Sequence, residues 1–285
     1  MLILSVTLLT VIIPGLITGV IAYRWPQAAL TAPKISVEEV KSEVRRHPRR
    51  AAFIRSRLDP DSATGLLLSA AIVALVVGTV SMALVLVMIH TNTGLARLDR
   101  SSSLFGEHHA TALSTRVLND YTQLGGALWI VPLAVIVAIV ETIRQRSVAI
   151  IGFLTLVVGG QFLVANIIKA IVDRARPDFD HLTGFSGSSF PSGHAVASAA
   201  CLAAFALVIG RRRSLKVRAI LAGLAVGLAT GIACCRVMLG VHWLTDVLGG
   251  LALGWAWFAL CSIAFGGYQM RFGAPVKTAE ETVTT

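Results

Sequence analysis

The chain has 285 residues, 55% of them hydrophobic and 14% charged, with a formal net charge of +10 and a mean hydropathy of +0.76. A soluble domain of this length carries more charge, so the composition excludes an ordinary soluble enzyme and points to an integral membrane protein. The basic residues sit between long uncharged runs, where membrane topology explains them, and no nucleic-acid partner is expected.

Seven apolar spans are predicted, at 2–23, 65–90, 124–140, 148–168, 193–210, 219–235 and 244–266. Each approaches or exceeds the roughly 18 residues needed to cross about 30 Å of hydrocarbon. No basic residue precedes the first span and a dense basic segment follows it, so it reads as an uncleaved anchor rather than a signal peptide. Within the basic segment, 36–58 reads as helical pieces broken at Pro48, with Ser36 and Glu39 at capping-box spacing. Phe53, Ile54 and Leu58 there can lie in a lipid interface; a solvated linker carrying a topology signal is the simpler reading. The polar stretch 92–123 carries Leu95, Leu98, Leu104, Phe105 and Leu113, the pattern of an amphipathic helix on the membrane surface. His108 and His109 are adjacent, hence on different helix faces, and are not expected to share a metal. The span near 127–140 is the shortest and contains Pro132, a potential kink. The tail 267–285 is polar and expected to be disordered.

Cys201, Cys234, Cys235 and Cys261 lie in or beside apolar runs without metal-ligand spacing, and read as packing thiols. The pairs Gly15/Gly19, Gly227/Gly231 and Gly250/Gly254 have GxxxG spacing, which chance readily supplies in a chain with 25 glycines.

Lys and Arg set an orientation. Segments 24–62, 141–147 and 211–218 hold nine, two and five of them. With seven spans these segments share one side, which the positive-inside rule makes cytoplasmic. Segments 92–123, 169–192 and 236–243 then face outward.

The chemistry is concentrated on that outer side. Lys169 and Arg176 are seven residues apart, nearly two turns, so a continuing helix would put them on one face. Asp173 between them can brace either cation, and Pro177 helps end the helix. Snorkelling explains one cation at a span end; it does not explain three on the side where the positive-inside rule disfavours them. Pro191-Ser192-Gly193-His194 opens the fifth span. Ser192 suits an N-cap. The free amides of a helix start, with Gly193 allowing close approach, form an anion seat, and His194 stands beside it. Arg236, His242 and Asp246 follow; on a helix the last two would meet on one face. The carboxylate can then hold the His242 tautomer that leaves Nε2 free. A capping aspartate that happens to touch a histidine is the bland alternative.

The set Lys169-x6-Arg176-Pro177, Pro191-Ser192-Gly193-His194 and Arg236-x5-His242-x3-Asp246 resembles the signature of the type 2 phosphatidic acid phosphatase (PAP2) superfamily. That group includes membrane lipid phosphatases and soluble vanadium haloperoxidases. The resemblance covers 63–266 and implies an all-α, multi-pass transmembrane bundle: a six-helix core plus one extra N-terminal transmembrane helix. The implied division is 1–62, anchor and basic linker; 63–266, phosphatase core; 267–285, tail. It implies that His242 attacks phosphorus, Asp246 holds His242, and His194 serves the leaving group and then water. Lys169, Arg176, Ser192, Gly193 and Arg236 would bind the phosphate oxygens. No cofactor or metal is implied, since fixed cations can neutralise a phosphoryl group as Mg²⁺ does elsewhere. One departure is Cys235, where the family usually has Ser; a thiol is the weaker donor. The expected partners are membrane lipids, and the substrate a lipid phosphate or diphosphate: polyprenyl diphosphate, phosphatidic acid or phosphatidylglycerophosphate. The expected location is the plasma membrane with the site on its outer face. A phosphotransferase using the same intermediate and a non-enzymatic binding or transport protein are the alternatives. Nothing in the residues indicates an oligomeric state.

Overall fold

The structure, a computed structural model, describes residues 1–31, 66–178, 182–184 and 187–272. The linker features at Ser36, Glu39, Pro48, Phe53, Ile54 and Leu58, and the tail beyond 272, lie outside the described residues. Those residues form nine α-helices and no strand. The helices are α1 (Leu2–Thr31), α2 (Leu66–Thr91), α3 (Asp99–His108), α4 (Ala112–Gln123), α5 (Ala127–Gln145), α6 (Ala149–Val172), α7 (Gly193–Gly210), α8 (Leu215–Met238) and α9 (Leu244–Phe272), with a 3₁₀ turn at Gly94–Leu98.

Seven of these, all but α3 and α4, are long and apolar enough to cross a membrane, as expected. In hydrocarbon a helix is favoured because it pairs its own backbone groups. Several predicted ends fall short of the observed ones. The third span runs to Gln145 rather than 140, because Glu141 is buried and paired inside the helix: it accepts from Arg144 Nη1 at 2.9 Å and from Gln145 Nε2 at 2.9 Å. Gln145 Nε2 also donates to Val208 O of α7 at 2.9 Å. Helix α9 continues past 266 to Phe272.

Helices α7, α8 and α9 form the centre of the bundle, with α1, α2, α5 and α6 around them. Alanines 195, 199, 200, 204, 229 and 233 are buried there, and such small residues let backbones approach closely. The glycine pairs are contacts rather than chance. A Cβ on Gly223 would lie 2.6 Å from Gly15 O, and one on Gly254 2.5 Å from Val196 O. Helix α1 is further tied to α8 by Thr230 Oγ1, which donates to Thr10 O at 2.6 Å.

The 92–123 stretch differs from expectation. It is a 3₁₀ turn and two short helices, not one amphipathic helix. Its buried residues include Asp99, Ser103, Ser114 and Thr122, while Leu95, Leu98 and Leu113 are exposed. The reason lies beneath it: the segment covers a polar turn between α8 and α9. Phe105 alone of the named apolar residues packs against the central cluster.

Candidate active site

The C-terminal ends of α6 and α8 and the N-terminal ends of α7 and α9 meet at one end of the bundle, and the three motifs meet with them. Helix α6 ends at Val172, and Asp173 takes a left-handed conformation (φ 40°). Lys169 and Arg176 therefore do not share a helical face. They converge through one carbonyl instead: Lys169 Nζ donates to Ser188 O at 2.6 Å, and Arg176 Nη2 to the same oxygen at 3.3 Å. Arg176 also donates through Nε to Gly187 O at 3.0 Å and through Nη1 to Val241 O at 2.6 Å. Asp173 is exposed and does not brace these cations; the 187–188 backbone takes that role because the left-handed cap turns the chain away from the helix axis.

Ser192 occupies the N-cap position of α7, yet its side chain makes no capping bond. Its hydroxyl is buried without a protein partner, while its amide donates to Asp246 O at 3.1 Å. A Cβ on Gly193 would meet nothing within 4 Å, so the face of this helix start is open. His194 lies in the first turn. A Cβ on Gly126 would come within 3.3 Å of His194 Nε2, which places the α4–α5 turn against the imidazole. His194 is within electrostatic reach of His242, Arg236, Lys169 and Arg176.

Arg236, in the last turn of α8, is 4% exposed, and its Nε has no protein partner. Buried donors normally find a partner. Ser192 Oγ and Arg236 Nε, beside an open helix N-terminus, suit the oxygens of a phosphate. Cys235 is fully buried in the central apolar cluster.

His242 precedes α9 and Asp246 sits in its first turn, so the pair is not on one continuous helix. Gly240, at φ 71°, reverses the chain after α8; a left-handed residue is cheap only for glycine. Arg176 Nη1 lies 3.3 Å from His242 Nε2. A guanidinium only donates, so Nε2 accepts there and the ring proton belongs on Nδ1. Nδ1 faces Asp246 Oδ2 at 3.5 Å, an ion-pair separation rather than a formed hydrogen bond. Oδ2 instead accepts from Trp243 N at 2.9 Å and from Ser189 Oγ in a short hydrogen bond. Burial pushes the His242 imidazole down to about 4; the Asp246 carboxylate opposes that shift and the guanidiniums of Arg176 and Arg236 add to it. Burial likewise lowers Arg176, against the pull of Asp246.

Four side chains absent from the motif reading complete the cluster. Arg174 Nη1 donates to Asp246 Oδ1 at 2.6 Å, and its Nη2 to Asp99 Oδ2 at 2.7 Å. Thr245 and Ser189 bond to these carboxylates. Arg174 stands two residues before Arg176 and so had a signal. Asp99 had only that of a lone acid in the polar stretch 92–123.

Comparison with known proteins identifies the family of the chain. The family model for the PAP2 superfamily matches residues 149–269. Lipid A 1-phosphatase of Rhizobium etli is 35% identical over 164 residues, spanning 49% of this chain and 66% of that one. Phosphatidylglycerophosphatase B of Bacillus subtilis is 35% identical over 150 residues, spanning 50% and 71%. Decaprenylphosphoryl-5-phosphoribose phosphatase of Mycobacterium tuberculosis is 34% identical over 148 residues, spanning 50% and 73%. The crystal structure of a transmembrane PAP2 type phosphatidylglycerolphosphate phosphatase from Bacillus subtilis superposes with a TM-score of 0.60 at 27% identity, covering 69% of this chain and 98% of that one. The chain thus belongs to the PAP2 superfamily. It matches just under two thirds of the length of the Rhizobium relatives.

Proposed function

We propose that this chain hydrolyses a lipid phosphate or lipid diphosphate through a phosphohistidine, with the core 63–266 carrying the activity. The observation that carries the reading is the approach of Arg176 Nη1 to His242 Nε2 at 3.3 Å, which sets a cation beside a nitrogen lone pair. Nε2 attacks phosphorus, the bond from phosphorus to the lipid oxygen breaks, and protonated His194 supplies the proton to that oxygen. His194, now neutral, takes a proton from water as the water attacks; the P–N bond breaks and inorganic phosphate leaves. Lys169, Arg176, Arg236, Ser192 and the Gly193 amide hold the equatorial oxygens, where charge is neutralised. Asp246 offsets the positive ring that forms when His242 is phosphorylated.

The relatives named above, whose names specify lipid A, phosphatidylglycerophosphate and decaprenylphosphoryl phosphoribose, support a lipid substrate. Among candidate substrates a polyprenyl diphosphate fits a site at an outer membrane face, which the asymmetric Lys and Arg distribution favours, and the plasma membrane as location. The test is phosphate release by purified protein from polyprenyl diphosphate, phosphatidic acid and phosphatidylglycerophosphate, with EDTA present, beside His242→Ala. Prompt release by the wild type and none by the variant is expected. Equal release by both removes His242 as nucleophile; transfer to an added alcohol without phosphate release makes the protein a phosphotransferase.

A further inference from the structure

Helix α3 reaches into the site through the buried carboxylate of its first residue, Asp99. Asp99 Oδ1 accepts from Thr245 N at 2.8 Å, and Oδ2 from Thr245 Oγ1 at 2.6 Å and Arg174 Nη2 at 2.7 Å. Thr245 is the second residue of α9, so its amide is one of the donors that a helix start leaves without an internal partner. Asp99 therefore caps α9 from a different part of the chain, at the positive end of the helix dipole. Arg174 lies between the two carboxylates, giving Nη2 to Asp99 and Nη1 to both Asp246 Oδ1 at 2.6 Å and Thr245 Oγ1 at 2.8 Å. Its guanidinium also lies 5.7 Å from the centre of the Trp243 ring. The side chains of Asp99, Arg174 and Asp246 are 6%, 17% and 0% exposed. A single cation thus joins two buried carboxylates, and the three groups together carry one net negative charge.

We infer that Asp99 and Arg174 are positioning residues that hold Asp246 in register with His242, so that the 3₁₀ turn and α3 form part of the catalytic apparatus rather than only a cover. The inference rests on the proposed role of His242 and Asp246. It follows from the occupancy of Asp246: Trp243 N, Ser189 and Arg174 fix the carboxylate, and Arg174 is in turn oriented by Asp99. Without Asp99, Arg174 loses one of its two anionic partners and is free to turn away from Oδ1. Ser103 and Gly106 support the same arrangement. Ser103 Oγ lies 3.5 Å from His242 O, and a Cβ on Gly106 would fall 2.4 Å from Met238 O, which shows how closely α3 is seated on the catalytic turn.

The experiment is a double-mutant cycle with the purified full chain, following phosphate release from phosphatidic acid, phosphatidylglycerophosphate and polyprenyl diphosphate in detergent micelles. Asp99→Asn keeps shape and removes charge. It is expected to lower kcat about 10- to 100-fold with KM within about threefold of wild type. In an Asp246→Asn background the same change is expected to cost no more than about twofold, because the group through which it acts is already gone. Arg174→Gln should behave likewise. Should Asp99→Asn not yield monodisperse protein, Thr245→Ala is read in its place, with the same loss expected only when Asp246 is intact. Unchanged kcat in these variants, or an equal loss with and without Asp246, overturns the inference while leaving the phosphatase reading intact. A wild type inactive on all three lipids overturns that reading, and this inference with it.

Discussion

Arg176 and His242 touch across 65 residues of intervening chain: Nη1 of the first lies 3.3 Å from Nε2 of the second. The guanidinium is held on its other sides by Gly187 O, Ser188 O and Val241 O. It is therefore a fixed fork, aimed at the place where a phosphoryl group must sit for Nε2 to reach phosphorus. Lysine carries the charge but not the fork. Arg176→Lys is expected to lower kcat/KM by ~10²–10³-fold, the loss seen when one preorganised donor is removed from a developing oxyanion. Initial rates over a range of lipid phosphate concentrations measure it, and a rate within a few-fold of wild type would contradict the assignment.

Asp246 should matter less than His242. Replacing the nucleophile removes the covalent route, whereas Asp246→Asn leaves Nε2 in place with a poorly stabilised imidazolium. A slow enzyme is expected, reduced by ~10²–10⁴-fold, against no detectable turnover for His242→Ala. Acid-labile phosphoenzyme trapped from labelled substrate should appear, more slowly, in the aspartate variant and be absent from the histidine variant.

The pH dependence of stability follows from the burial of His242. Its folded-state value of about 4 lies below the usual 6.5 of an unfolded histidine. As pH falls below about 6.5 the unfolded chain takes up a proton that the folded protein refuses, so stability drops until about pH 4, where both states are protonated. The total contribution is on the order of 3 kcal/mol. Thermal unfolding of wild type and His242→Gln in detergent across this window should show the wild type losing ground to the variant as the pH is lowered. Parallel curves would mean that the imidazole is not excluded from water as the structure has it.

Gly193 offers a test of the anion seat that spares the fold. A Cβ there meets no protein atom within 4 Å, so Gly193→Ala should unfold at the wild-type temperature or slightly above, since glycine is costly in a helix. The added methyl group occupies the space through which a phosphate approaches the first amides of α7. Inhibition by orthovanadate should weaken by about tenfold or more, as expected when a charge-assisted bond to the anion is lost. Unaltered vanadate affinity would place the phosphate elsewhere.

Gly227 tests the seam between α1 and α8. A Cβ there would lie 2.5 Å from Val11 O, against backbone that cannot move aside cheaply. Gly227→Leu should detach or displace α1, lowering the melting temperature by several degrees, in line with a loss of about 1–3 kcal/mol for overpacking. Cysteine cross-linking between Val11 and Gly231 positions would report the displacement directly.

The amino-acid sequence by itself determined the class of fold and the chemical cast. Apolar runs of sufficient length have few stable conformations in hydrocarbon other than helices, and Lys169, Arg176, Ser192, Gly193, His194, Arg236, His242 and Asp246 stood out because charged and hydrogen-bonding groups at span ends are costly without a purpose. What it left open was how these residues meet. Local spacing suggested a helical face for Lys169 and Arg176, and another for His242 and Asp246. In the structure α6 ends before Asp173 and α9 begins only at Leu244, after His242, and the groups converge through Ser188 O and the turn before α9. Spacing along a helix reports neighbours within about one or two turns, whereas Asp99 and Asp246 are brought to one guanidinium from 75 and 72 residues away. Only the packing of α3 on the α8–α9 turn decides that contact, which is why an isolated aspartate in the polar stretch 92–123 carried no visible signal of its place in the site.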